Sequence, residues 1–228
     1  MQLLSLRNIL CFICLATTLT SYAISKNANW SNIELQPLTT FFTKENIPES
    51  AWPNLVYVNE ADLPTMEKSI LTQPLVTAAI ADYYQRTPKI REPLHMDEKI
   101  EQNQFYRAIL MIVDNNSKRD DALLADTLYE STVVELGLIS INFSALPANM
   151  NNDIRKGETP FGALLMEHKI ATKSIDTRYF KINCESHLAR YLQCEIGHTV
   201  YGRSNTIVRQ DNQLWVAKVV EILSGIAS

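Results

Sequence analysis

The last part of the chain constrains the fold more than any other stretch. Two arms rich in apolar and β-branched residues, 201–209 and 214–223, flank the polar residues 210–213. Asp211 and Asn212 tolerate the left-handed backbone of a tight turn, so the pattern predicts a β-hairpin with its tip there. A hairpin cannot bury its apolar face alone, and this one therefore predicts a sheet that begins earlier in the chain.

Other stretches are expected to supply the remaining strands. The run 105–113 is apolar on both faces and is bounded by Asp114, which is typical of a central strand. The second half of 123–134 is β-branched, and this favours a hairpin with that strand. The weaker candidates are 90–100, 175–182 and 139–143, the last of which could be strand or loop.

Helical spacing of apolar residues separates these strands. It predicts a short helix over 66–71 and an amphipathic helix over 75–86. Thr159 as the cap and Pro160 at the first helical position predict a helix over 161–168. Residues 185–193 also have a helical pattern. The order of elements indicates an α+β fold, an antiparallel sheet with helices on one side, over residues 65–228.

The N-terminus has the pattern of a signal peptide. Arg7 is the only charge in the first 25 residues, an apolar run begins at Ile9, and small residues stand at Ser21 and Ala23. The apolar run is shorter than the roughly 20 residues that span a bilayer. Residues 1–23 are therefore predicted to be a cleaved leader of an exported protein, periplasmic or secreted; the alternative is an uncleaved anchor. Residues 24–64 are expected to form an extended N-terminal arm.

Composition narrows the classes of partner and cofactor. The 228 residues carry a net charge of −4 without a patch rich in Lys and Arg, so nucleic acid is not expected as a partner. No membrane association is expected once the leader is removed. Glycine-rich phosphate-binding motifs are absent from the sequence, and the four histidines lie far apart, so no metal site is predicted.

Two cysteines, Cys184 and Cys194, remain after the leader. In an oxidising compartment a disulfide between them would persist. An unbroken helix between them would separate their Cα atoms by about 15 Å, whereas a disulfide requires roughly 4.4–6.8 Å. The sequence therefore leaves two alternatives for these cysteines, a disulfide or two separate thiols.

Three segments together carry a family resemblance. Arg107 stands near the start of the strand that ends at Asp114, the sequence GETPFG at 157–162 opens a helix, and YGRS at 201–204 begins the terminal hairpin. In this order and spacing the chain resembles the chorismate pyruvate-lyase family, whose wider superfamily includes the effector-binding domains of GntR-type regulators. The resemblance covers about residues 65–223.

The resemblance implies a six-stranded antiparallel sheet and a small buried pocket beneath helical flaps. It also implies cleavage of chorismate to 4-hydroxybenzoate and pyruvate, without a metal or cofactor. Arg107 would bind the aromatic carboxylate, since a planar guanidinium matches a carboxylate in two hydrogen bonds. The backbones of Val76 and Phe161 would contact the ligand from two sides.

The chain departs from the family on its last strand, where a glutamate is expected in the pocket. The matching position falls on or beside Lys218, and Glu221 is the nearest carboxylate, three residues further on. A regular strand turns residues at that offset to opposite faces, so a bulge is expected if Glu221 is to reach the site of Lys218. Lys218 in the pocket would favour a doubly anionic ligand. Arg203 is expected only to anchor the hairpin to the body of the protein.

Two functions from different classes follow. The first is an exported lyase in which Glu221 or Lys218 assists the elimination while Arg107 and Lys218 bind the substrate. The alternative is a non-catalytic exported protein of the same fold that binds a small aromatic acid or a partner. A structural protein without a small-molecule site is a third, weaker interpretation.

Overall fold

A computed structural model describes Trp30 and residues 32–91 and 94–225. The predicted leader, residues 1–23, lies outside the described residues. Among the described residues, no helix has both the length and the apolar character needed to cross a membrane.

The described residues form eight β-strands and seven α-helices. The strands are β1 Leu55–Val58, β2 Lys89–Ile90, β3 His95–Lys99, β4 Gln104–Asp114, β5 Ser131–Asn142, β6 Thr172–Asn183, β7 Thr199–Arg209 and β8 Trp215–Leu223. The helices are α1 Gln36–Lys44, α2 Thr65–Leu71, α3 Val76–Tyr84, α4 Ala122–Thr127, α5 Ala148–Lys156, α6 Phe161–Glu167 and α7 Ser186–Leu192.

All eight strands belong to one antiparallel sheet. Its order is β1-β6-β7-β8-β5-β4-β2, and β3 also pairs with β4. The predicted hairpins are present as β4–β5 and β7–β8, with the second tip at residues 210–212. The α+β class with an antiparallel sheet is thus confirmed. The strand number is eight rather than six: five long strands, β4 to β8, form the centre, and the short strands β1, β2 and β3 lie at the two edges.

Helices cover both faces of the sheet, whereas the sequence predicted them on one side only. One face packs on α1 and α7, through fully buried Leu38, Phe41 and Phe42 of α1. The other face packs on α2, α3, α5 and α6. The cause lies in β4, which is apolar on both sides and therefore needs cover on both. Residues 36–44, expected as part of an extended arm, form the helix α1 that supplies it.

The helix between the two cysteines is shorter than predicted. It ends at Leu192, and Gln193 adopts a left-handed conformation that turns the chain back. The Cα atoms of Cys184 and Cys194 consequently lie 6.2 Å apart and the two residues form a disulfide. Of the two alternatives left open by the sequence, the structure has the disulfide.

Candidate ligand-binding site

A cavity of about 220 Å³ lies between the sheet and the first turns of α3 and α6. It is larger than the about 150 Å³ that accommodates benzene and smaller than the about 300–1,000 Å³ of sites for drug-sized ligands. The space therefore suits one substituted ring or a chain of similar size. The polar residues that line it are Thr77, Arg107, Glu135, Ser174, Arg203, Asn205 and Glu221.

Alternate residues of neighbouring strands form the floor of the cavity. Arg107 on β4 pairs with Ile139 on β5, which pairs with Val219 on β8. Two positions away along the same two strands, Gly137 of β5 pairs with Glu221 of β8. Paired residues project to the same face of a sheet, so all of these share the cavity side. Regular pairing is what brings side chains from distant parts of the sequence into one site.

The walls come from two short helices, of which α6 begins directly after Pro160 and α3 begins two residues after Pro74. Val76 opens α3 and Phe161 opens α6, and both residues are buried and line the cavity. Pro160 occupies the N-cap position of α6, so Thr159 is not the cap that the sequence predicts. The carbonyl of Thr159 instead accepts hydrogen bonds from Arg107.

Arg107 is a buried cation with an unused donor. The residue is 1% exposed, and its Nη1 and Nη2 atoms lie 3.2 and 3.3 Å from the carbonyl oxygen of Thr159. Its Nε is buried without a hydrogen-bond partner among the described residues. Burial lowers the pKa of Arg107 to about 10, so the side chain stays charged at neutral pH. No carboxylate of the described part of the chain forms an ion pair with it.

Arg203 and Glu221 form a buried ion pair that lines the same cavity. The Nε of Arg203 lies 2.5 Å from Oε2 of Glu221, and the two side chains are 7% and 14% exposed. Nη1 of Arg203 also donates to the carbonyls of Leu71 and Gln73 at the α2–α3 turn. Arg203 therefore anchors the helix pair to the terminal hairpin, and it compensates the charge of Glu221.

Glu135 on β5 is a cavity residue that the sequence reasoning missed. It is 4% exposed. Burial raises its pKa well above the usual value; repulsion from Glu221 adds to the shift and Arg203 opposes it. Its signal was a single acid inside the apolar run 133–139. Asn205, 2% exposed, was also missed, and its Oδ1 has no hydrogen-bond partner among the described residues.

Lys218 does not line the cavity, so its predicted place in the pocket is wrong. It faces the opposite side of the sheet, where Nζ donates to Oε1 of Gln36 at 3.0 Å and lies 5.2 Å from the ring centre of Trp215. Burial lowers its pKa. Its neighbour Val219 faces the cavity, and Glu221 does so two residues later without the predicted bulge in the β5–β8 pairing. Strand alternation accounts for both placements.

No protein-family model matches the chain, and no curated protein matches it. Among solved structures, it resembles a possible transcriptional regulator of Bacillus subtilis, YydK, with 8% identity, a TM-score of 0.43, and coverage of 83% of this chain and 92% of that one. The PhnF C-terminal domain is 7% identical, with a TM-score of 0.43 and coverage of 62% of this chain and 84% of that one. A gene product of Staphylococcus aureus is 14% identical, with a TM-score of 0.42 and coverage of 60% of this chain and 82% of that one. Scores this low assign the chain neither a family nor a function.

The cavity combines apolar walls with an uncompensated cation. Of the residues that the resemblance marks for ligand contact, Arg107, Val76 and Phe161 meet here, and Glu221 joins them. A negatively charged group entering the cavity meets the unpartnered Nε of Arg107 in a region of low dielectric constant, where charge–charge attraction is strong. The arrangement can therefore hold a small anion with an apolar body.

Proposed function

We propose that this protein binds a small aromatic carboxylate in the cavity, with Arg107 as the group that holds the carboxylate. The observation that carries the proposal is the burial of the Arg107 guanidinium with a spare Nε donor and no carboxylate partner among the described residues. An uncompensated buried charge is strongly unfavourable, and a ligand carboxylate would supply the missing partner.

The size of the cavity and the family resemblance both support a small aromatic carboxylate as the ligand. The cavity volume of about 220 Å³ suits a single substituted ring. Its walls include Val76, Ile109 and Phe161, which offer apolar contact to such a ring. Arg107, Val76 and Phe161 are also the residues on which the resemblance to the chorismate pyruvate-lyase family places ligand contacts.

Calorimetry with benzoate, 4-hydroxybenzoate and the neutral isostere benzamide tests the proposal. Both benzoates are expected to bind and benzamide is not. Arg107→Gln, which keeps hydrogen-bonding groups but removes the charge, is expected to abolish benzoate binding. Arg178→Gln is the matched control, because the Arg178 side chain is 52% exposed and does not line the cavity. Equal binding of benzoate and benzamide would contradict the proposal, as would benzoate binding by the Arg107 variant.

Cleavage of chorismate is the second candidate, because Glu221 faces the same cavity as Arg107. The carboxylate of Glu221 is already paired with Arg203, which favours binding without elimination. We therefore expect chorismate to bind without release of 4-hydroxybenzoate and pyruvate. Product formation by the wild-type protein that disappears in Glu221→Gln would establish the lyase instead.

Export remains part of the proposal. The leader pattern of residues 1–23 supports it, and the Cys184–Cys194 disulfide adds support because structural disulfides persist in oxidising compartments. Expression with a C-terminal tag and N-terminal sequencing of the mature protein tests it. A new N-terminus near residue 24 outside the cytoplasm is expected, and an intact N-terminus in the cytoplasm would contradict it.

A further inference from the structure

We propose that the cavity selects ligands that carry a cationic amine as well as a carboxylate, and that Glu135 binds the amine. The inference rests on the proposed function, since Arg107 is to hold the carboxylate of the same molecule. It identifies the ligand class as small amino acids with the two charged groups at opposite ends of an apolar spacer.

The carboxyl group of Glu135 lies on the floor of the cavity. Its Oε1 stands 3.3 Å from the position that a Cβ atom on Gly137 would occupy, and both residues line the cavity. Glu135 belongs to β5 rather than to the last strand, so it is a different acid from the one on which the family resemblance bears. Only 4% of the residue is exposed.

The described part of the chain offers this acid no hydrogen-bond partner. Arg203 is used by Glu221 and by the carbonyls of Leu71 and Gln73. Arg107 donates to Thr159, and no hydrogen bond to Glu135 comes from the described residues. A buried polar group without a partner is destabilising, so a ligand donor at this point would be favourable.

Asn205 gives independent evidence that a donor belongs in the cavity. It is 2% exposed, its Oδ1 has no hydrogen-bond partner within the part of the chain that the structure describes, and it lines the same cavity. An unpartnered donor on Arg107 and unpartnered acceptors on Glu135 and Asn205 together call for a ligand with groups of both kinds. An ammonium group supplies three donors.

The balance of charge favours the same class. With Glu135 ionised, the two arginines and two glutamates of the cavity sum to zero. A ligand with both a carboxylate and an ammonium group leaves this balance unchanged, whereas with a carboxylate alone Glu135 must take up a proton to keep the cavity neutral. Burial and Glu221 raise the pKa of Glu135, and an ammonium group beside this carboxyl group would favour its ionised form.

The sheet register limits the length of the ligand. Arg107 and Gly137 are diagonal neighbours on adjacent strands, which places their Cα atoms about 7–8 Å apart. A spacer of one ring or a short chain joins groups bound at these two points. The volume of about 220 Å³ sets the same limit.

The test uses three matched compounds on the purified protein: 4-(aminomethyl)benzoate, 4-(hydroxymethyl)benzoate and 4-ethylbenzoate. The amine is expected to bind about tenfold or more tightly than 4-ethylbenzoate, the scale expected for a buried charge pair. Glu135→Gln is expected to remove this preference while 4-ethylbenzoate still binds. Glu135→Leu, measured in parallel, keeps the test valid if one variant folds poorly.

Proton release gives a second readout that a purely structural role of Glu135 would not change. Calorimetry in buffers of different ionisation enthalpy is expected to show more proton release when the amine binds than when 4-ethylbenzoate binds, since an ammonium group beside Glu135 favours its ionised form. No release is expected for 4-ethylbenzoate or in the Glu135→Gln variant.

The outcomes separate the two proposals. If 4-ethylbenzoate binds through Arg107 but the amine binds no more tightly, this inference fails while the proposed function stands. Equal loss of all three compounds in Glu135→Gln would also overturn it. If none of the compounds binds to the wild-type protein, both proposals fail.

Discussion

The Oε1 atom of Glu135 lies 3.3 Å from the position that a Cβ atom on Gly137 would occupy. The Cγ1 atom of Ile109 lies 3.2 Å from the same point. Both distances are shorter than ordinary van der Waals contacts. The missing side chain at position 137 therefore makes room for the Glu135 carboxyl group on the cavity floor.

Substitution of Gly137 by alanine should disturb both stability and binding. We expect Gly137→Ala to lower the free energy of unfolding by about 1–3 kcal/mol, as an added carbon in a packed interior does. Benzoate binding should weaken because the new methyl group displaces Glu135 and Ile109 toward the ligand. Urea unfolding and calorimetry measure the two effects. In the Glu135→Ala background the destabilisation should be smaller, and an unchanged value would contradict the contact.

Glu135 should make stability depend on pH. In the unfolded chain it titrates near its ordinary value of 4.5, whereas in the folded protein burial and Glu221 hold the proton to higher pH. Between these two values the folded state binds more protons, so its stability falls as pH rises. Arg203, which faces Glu135 along with Glu221, opposes the shift without cancelling it.

Unfolding by urea from about pH 4 to about pH 8 measures this effect. The wild-type protein should lose stability over the range relative to Glu135→Gln, which has no titrating group at this position. Curves for the two proteins that run parallel would contradict a raised pKa.

The sheet could be predicted from the sequence because its strands carry strong local patterns. The apolar run 105–113, the hairpin arm 201–209 and all but the first residue of the arm 214–223 each lie within one strand of the structure. Helix α5 was missed, because residues 148–156 are rich in asparagine and only Met150 and Ile154 of them are buried. Helix α1 was missed because its helical character depends on packing against the sheet, which a scattered set of aromatic residues does not reveal.

The sequence predicted a site residue correctly only where the three segments that carry the family resemblance mark its position. Arg107 was identified, but Glu135 was not, because a single acid in an apolar strand gives no sign of which face it occupies. Lys218 was misplaced by a register error of one residue, and such an error moves a side chain to the other face of a sheet. Glu221 was counted from Lys218 and was therefore thought to need a bulge.

Glu221 is predicted to support stability more than Lys218 does. Glu221→Ala removes the carboxylate that is hydrogen-bonded to the buried Arg203, and we expect a loss of about 3–5 kcal/mol in the free energy of unfolding. Lys218→Gln is the control from the same strand. It is half-buried and bonded to a neutral amide, so a loss of about 0–1 kcal/mol is expected. Equal losses in urea unfolding would argue against the pairing of Arg203 with Glu221.

The disulfide should contribute measurably to stability. Cys184 and Cys194 are separated by 10 positions, and closing a loop of that length stabilises the folded state by about 2.5–3 kcal/mol in the chain-entropy model. The double variant Cys184→Ser, Cys194→Ser should show this loss in urea unfolding. A reducing agent should destabilise the wild-type protein and leave the double variant unchanged. A response of both proteins to the reductant would point to another cause.

The two buried arginines of the cavity should respond in opposite ways to replacement by methionine. Arg107 has no carboxylate partner among the described residues, so Arg107→Met should raise the free energy of unfolding by about 1–4 kcal/mol while benzoate binding is lost. Arg203→Met should instead lower stability, because Glu221 and the carbonyls of Leu71 and Gln73 lose their donor. Urea unfolding of both variants, with calorimetry on benzoate, tests the pair. A loss of stability in Arg107→Met as large as in Arg203→Met would mean that Arg107 serves the fold rather than a ligand.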